Sequence, residues 1–244
     1  MKKYYIFSFF LCYILLSSSL FAQNNLLFDR SNISEDIYDS LSSCYEKVSQ
    51  APLESIYKSL EVNYAKQPDK KYKYWQAYVK MYEYIYTENI MDLEKSIEII
   101  NSLESKTSEE LAFLAFLKSF KMSSFSDEME LKRTSNEVKN LANEALKMNS
   151  NNLRAYYVLA VLEYYDPKDD IKKTKRYLEE GLKIVEKSKD YYDITWGRNL
   201  LYELYIKYYL ENKKINKAKS MYERAISEFP NDYIINKYYE LGRK

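Results

Sequence analysis

Near the C-terminal end of this chain, the spacing of small and large residues limits what it can fold into. In the stretch 199–232, NLLYELYIKYYLENKKINKAKSMYERAISEFPND, residues Ala218, Tyr222, Ala225 and Pro230 follow the pattern A-x3-Y-x2-A-x4-P. Seven residues are about two turns of helix, so both alanines fall on one side of it. Small side chains there let a second helix come close, and Tyr222 fills the gap between the two. Pro230 ends the helix because it has no backbone N–H to donate. The pattern predicts two helices packed as a hairpin.

The same triplet recurs upstream. Thr174, Leu178 and Gly181 repeat it, as do Val138, Ala142 and Ala145, then Leu93, Ile97 and Ile100, and more loosely Ile56, Leu60 and Asn63. The last members of successive triplets step by 37, 45, 36 and 44 residues. Amphipathic segments predict helices near 34–49, 52–66, 70–87, 91–104, 108–123, 131–148, 152–165, 168–187, 191–211, 214–228 and 232–242. Some starts carry their own signals. Thr107 with Glu110 reads as a capping box, Asp166-Pro167 as an N-cap followed by a proline in the first turn, and Pro52 and Pro68 as places where helices begin or end.

Composition agrees with helices and disfavours other classes. Three glycines and four prolines in 244 residues are too few for a fold of many tight turns. With 30% charged and 46% hydrophobic residues, each helix can keep one solvated face. A net charge of +1 without a basic block argues against a nucleic-acid partner. The 28 tyrosines accompany many Lys, Asn and Ile residues, all of which use A/T-rich codons.

The N-terminus predicts export. Lys2 and Lys3 form a positive head, Tyr4 to Leu16 an apolar run, and Ser17 to Ala22 a small-residue exit. Cleavage after Ala22 divides the chain into a signal peptide (1–22), a lead-in (23–33) and a helical domain (34–244). The other reading is an uncleaved anchor, since Tyr4 to Ala22 is 19 residues, about the minimum for a span. Signal removal leaves no membrane span. Cys44 then remains as a single cysteine, so packing must hold the domain without an internal disulfide. Its spacing from Ile37, Leu41 and Val48 predicts a small core residue.

The tetratricopeptide repeat is a two-helix unit whose pattern runs W-x2-L-G-x2-Y, then A-x3-F, then P. The segment 199–232 resembles it, with Tyr202, Tyr205, Ile206 and Tyr209 in the front positions, and 138–152 resembles its second half. Front halves recur at Trp75, Tyr78, Val79 and Tyr82, at Leu111, Leu114, Ala115 and Lys118, and at Tyr156, Leu159, Ala160 and Glu163. The family period is about 34, so these copies are degenerate and lengthened. The resemblance implies an all-α, right-handed superhelical solenoid of about five hairpins, with the last segment as a C-terminal capping helix. A plain helical bundle is the alternative.

In that family, the first helix of each pair lines a concave groove that receives a peptide or a partner helix. By spacing, the groove-facing residues are Lys73, Gln76, Lys80 and Tyr84, then Glu109, Ala112 and Phe116, then Arg154, Tyr157, Val161 and Tyr164, and last Glu203, Lys207 and Leu210. Tyrosine suits contact because it offers a large ring with few torsions to order; the same tyrosines could instead pack between hairpins.

No reaction chemistry stands out. The chain has no histidine, which removes the commonest general base and imidazole ligands, and the exported part has too few thiols for zinc. Its glycines stand singly, so no loop cradles a phosphate. The expectation is a non-catalytic, cofactor-free scaffold in a bacterial periplasm or cell envelope, holding another protein or peptide in its groove. Its alternative is a module binding an envelope polymer such as glycan through the tyrosine-rich surface.

Overall fold

The computed structural model describes residues 33–122, 127–166, 171–184 and 196–243. The expected signal peptide, all of the lead-in except Ile33, and Pro167 of the expected helix start lie outside them. Every regular element described is a helix. In order they are α1 (Ile33–Lys47), α2 (Ala51–Lys66), α3 (Lys70–Thr87), α4 (Ile90–Asn101), α5 (Ser108–Lys121), α6 (Glu128–Met148), α7 (Leu153–Tyr165), α8 (Ile171–Ile184), α9 (Arg198–Glu211), α10 (Ile215–Glu228), α11 (Tyr233–Asn236) and α12 (Glu240–Arg243).

Local chemistry sets many of the boundaries. Thr107 and Glu110 form the expected reciprocal capping box at α5. Asp69, Asn89, Asp127 and Asn152 each accept a backbone N–H with the side chain at the start of α3, α4, α6 and α7. Proline occupies the first turn of α2, where no N–H is missed.

Consecutive helices pack as hairpins: α1 with α2, α3 with α4, α5 with α6, α7 with α8, and α9 with α10. The triplets mark the contacts. Val138, Ala142, Ala145, Thr174, Leu178, Ala218 and Ala225 are fully buried. The α4 contact differs from the expected set: Ile97 is only half-buried, and Ser96 sits in the interface, donating its hydroxyl to the Ala77 carbonyl at 2.6 Å.

The hairpins then stack into an all-α, tetratricopeptide-like solenoid. The two helices of a pair are buried very differently. On α5 every residue from Ser108 to Leu117 is buried, and on α9 every residue from Leu201 to Ile206. On α6 and α10 only a single stripe is buried. From α3 to α9, first helices therefore form an inner layer enclosed by neighbours, and second helices form an outer layer with one solvated side, whereas α1 at the end of the stack buries only Ile37 and Cys44 among its described side chains. Gly181 of α8 shows how closely the stack closes, since a Cβ there would meet Leu201 Cδ2 of α9 at 3.0 Å. Each large apolar side chain fully buried in these seams contributes roughly 1.5–3 kcal/mol.

Cys44 and Ile37 are fully buried, but Val48, expected on the same stripe, is 84% exposed. Helix α1 stops at Lys47, and Val48 takes a positive φ of 50°, so the helical period no longer applies to it. The expected capping helix at 232–242 is also broken, into α11 and α12 around a turn. Lys237 and Tyr238 in that turn both donate to Glu203 of α9, which draws the chain down onto the last hairpin. The two short helices cover it, α11 against α9 and α12 against α10.

Candidate binding face

The first helices carry the residues that the sequence places in a groove, and they fall into three groups. On α3, Lys73 and Lys80 turn toward α2, with their ammonium groups 4.5 Å from the Tyr64 ring centre and 4.7 Å from that of Tyr57. Lys80 also pairs with Glu83 and, at 3.5 Å, with Asp92 of α4. Gln76, on the same side by spacing, is 1% exposed, and its amide nitrogen has no hydrogen-bond partner. This face of α3 lies between hairpins. Tyr84 turns instead toward α5, edge-on to Phe120 at 6.0 Å.

The second group is central. Glu109 of α5 and Arg154 of α7 form an ion pair at 2.9 Å, with side chains 9% and 7% exposed. Phe116 meets Tyr157 edge-on at 5.8 Å, and Ala112 is fully buried. Arg154 and Tyr157 are thus buried rather than open to solvent. Burial pushes the Tyr157 phenol well up, with the Glu203 carboxylate adding to the effect.

At the centre of this group is a residue that the expected groove did not include. Trp196 precedes α9, in a stretch expected to be helical from 191; of that stretch, 191–195 lie outside the described residues. Helix α9 starts only at Arg198. Before it Gly197 adopts φ +100°, in the left-handed region, and a Cβ there would meet Arg154 Cγ at 3.3 Å. The turn delivers the indole onto the inner layer. Its N–H donates to the Tyr74 hydroxyl of α3 at 2.9 Å. The ring stacks on Phe116 at 5.2 Å, meets Phe113 at 5.6 Å, and lies under the Arg154 guanidinium at 5.5 Å. The one sequence signal was a tryptophan beside a lone glycine, a residue that suits a helix interior poorly.

The third group is at the C-terminal end. Glu203 accepts from Lys207 at 2.8 Å, Lys237 at 2.7 Å and Tyr238 at 3.2 Å. Burial acts to raise the Glu203 pKa, but the two ammonium groups outweigh it and hold the carboxyl below its ordinary range. Tyr164 is half-buried and packs edge-on against Tyr165 at 4.8 Å; Tyr165 is 65% exposed. Val161 and Leu210 are half-buried beside the core. The structure thus gathers Glu109, Phe116, Arg154 and Tyr157 into one cluster, and sets Lys73, Gln76 and Lys80 on another face.

Among the described residues, no group of three or more His, Cys, Asp or Glu could hold a metal ion. No described helix is long and apolar enough to cross a membrane. The sequence matches no family model and no curated protein. Solved structures do match. A thermophilic tetratricopeptide-repeat protein of Thermus thermophilus superposes with a TM-score of 0.61 at 12% identity, over 84% of this chain and 97% of that one. A tetratricopeptide repeat protein from Parabacteroides merdae matches at 0.40 with 17% identity, over 83% and 70%. An assembly chaperone of RpL4 matches at 0.44 with 11% identity, over 93% and 96%. The first likeness carries the fold alone: this chain has a tetratricopeptide-like repeat fold.

Proposed function

We propose that the protein is an exported scaffold, without a catalytic site, that binds another protein along the inner face of its repeat stack. The observation behind this reading is that face itself. First helices α5, α7 and α9 carry aromatic and charged side chains along one layer, covered at its centre and open near Tyr165, and stacked repeats use such extended faces to hold segments of other proteins. The outer end of the face keeps accessible groups for this purpose, Tyr165 at 65% exposure and Lys237 at 41% of its side chain. Export to a periplasm or cell envelope is supported by the residues of 1–22, with their positive head, apolar run and Ala22 exit.

Two measurements test the proposal. N-terminal sequencing of the envelope-fraction protein is expected to begin at or near Gln23; a start at Met1 would mean a retained anchor. Crosslinking and capture from envelope extract is expected to yield one stoichiometric protein, with recovery reduced when Tyr165 and Lys207 are changed to Ala. Retention on cell-wall material with no protein bound would replace the scaffold by a polymer-binding module.

A further inference from the structure

Two turns of the stack are built alike and charged oppositely. After α3 the chain passes through Glu88, and after α9 through Lys213, both with a φ of 56°. One residue later come the starts of α4 at Ile90 and of α10 at Ile215, and both isoleucines are exposed. Three residues further on, Leu93 and Ala218 head their triplets and are fully buried. The equivalent stretches read ENIMDLE at 88–94 and KKINKAK at 213–219. The first has three acids and no base, the second four lysines and no acid, so Glu88, Asp92 and Glu94 stand where Lys213, Lys217 and Lys219 stand. Asp92 suits the start of α4, but Lys217 in the first turn of α10 opposes that helix's dipole, which costs roughly 0.3–1 kcal/mol. Helix chemistry therefore explains the acid there and not the lysine. Each pair runs out along its first helix and back along its second, so these turns share one edge of the stack. On that edge Tyr86 of α3 meets Tyr45 of α1 at 5.1 Å, and Glu94 of α4 meets Lys121 of α5 at 3.1 Å.

We infer that this edge is a self-association surface, on which two copies of the chain meet about a two-fold axis. The turn of the second hairpin of each copy lies on the turn of the fifth hairpin of the other. Two-fold symmetry makes every contact occur twice. The exposed Ile90 and Met91 cover Ile215, and Glu88 faces Lys213 and Lys217, all three charges being exposed. The opposite charges select the occupant. An anionic bilayer would attract the fifth turn and repel the second, whereas a second copy satisfies both at once. The inner layer takes no part in the contact, so the inference stands apart from the reading of that face, and a dimer leaves both inner faces open.

Sedimentation velocity of the protein purified from the envelope fraction reads the assembly. A dimer is expected in about 0.05 M salt, with its Kd raised at least about tenfold in about 0.5 M salt. Glu88→Lys with Glu94→Lys makes both turns basic, and Lys213→Glu with Lys217→Glu makes both acidic. The backbone accepts the exchange at 88 and 213, since Glu and Lys already share the same φ there. Each variant alone is expected to be monomeric. Their equimolar mixture is expected to form a heterodimer, because two-fold pairing then matches opposite charges at both contacts. A wild type that stays monomeric at about 0.2 mM in low salt overturns the inference; binding of that monomer to vesicles of anionic phospholipid would assign the lysines to a membrane surface instead. Dimers formed equally by both variants, or a mixture that stays monomeric, also overturn it. So do assemblies that keep growing with concentration, which would mean head-to-tail contacts. If dichroism shows that a double variant is not folded, Glu88→Lys and Lys213→Glu alone are mixed and judged in the same way.

Discussion

The indole N–H of Trp196 donates to the hydroxyl of Tyr74 at 2.9 Å, across 122 residues of sequence. The bond ties the turn before α9 to α3, and both side chains are buried. Tyr74→Phe removes the acceptor and leaves a buried donor unsatisfied, which costs about 1–3 kcal/mol. In urea titrations, Tyr74→Phe and Trp196→Phe are expected to destabilise non-additively, since each alone removes the same bond. Strict additivity would show that the bond contributes nothing.

The Glu109–Arg154 pair predicts an asymmetry. Arg154→Met strips a nearly buried carboxylate of its guanidinium, and breaking a buried pair from one side costs about 3–5 kcal/mol. Adding Glu109→Gln to that variant is expected to restore part of the loss. A double variant less stable than Arg154→Met would count against the pair.

Glu203 predicts an acid-sensitive contribution to stability. Its folded-state pKa lies below the ordinary value because Lys207 and Lys237 outweigh the effect of burial. A lowered pKa means that the native state binds fewer protons, so the contribution is present above the ordinary carboxylate range. It is lost as the pH falls through that range and below it. Glu203→Gln is expected to flatten this part of the stability profile, measured by urea midpoints from neutral pH down to about 2. An unchanged acid limb would remove Glu203 from the account.

Ala225 is fully buried on α10, whereas Glu223 on the same helix is exposed. Ala225→Leu overpacks a close helix contact and is expected to cost about 1–3 kcal/mol. Glu223→Leu is expected to stay within about 0.5 kcal/mol. Thermal melts compare the two directly, and equal melting temperatures would misplace the buried stripe.

Tyr157 and Tyr165 are both on α7 but have different roles. Tyr157→Ala empties a buried site against Phe116 and is expected to cost about 3–5 kcal/mol, the range for removing a large core side chain. Tyr165→Ala, at an exposed position, is expected to leave the melt nearly unchanged and to weaken partner capture. A Tyr165 variant that loses several degrees of stability without a change in capture would place that ring in the core instead.

The sequence by itself determined the hairpins. Ala218, Ala225, Val138, Ala142 and Thr174 read correctly because an outer helix buries a single stripe, and one stripe leaves a legible helical period. The capping box at Thr107 was legible for a similar reason, since its partners lie within one turn of chain. The roles on the inner helices were decided by the tertiary structure. Every residue from Ser108 to Leu117 is buried, so no amphipathic stripe remains to say which side of α5 meets α6, α7 or Trp196. On α3, stacking alone decided that Lys73 and Lys80 turn toward α2 while Tyr74 and Tyr78 turn toward α5 and Trp196. Trp196 itself belongs to no periodic element. Its place depends on the left-handed backbone of Gly197 and on walls from three helices, the farthest of them, at Tyr74, 122 residues away in sequence, which only the closed stack brings together.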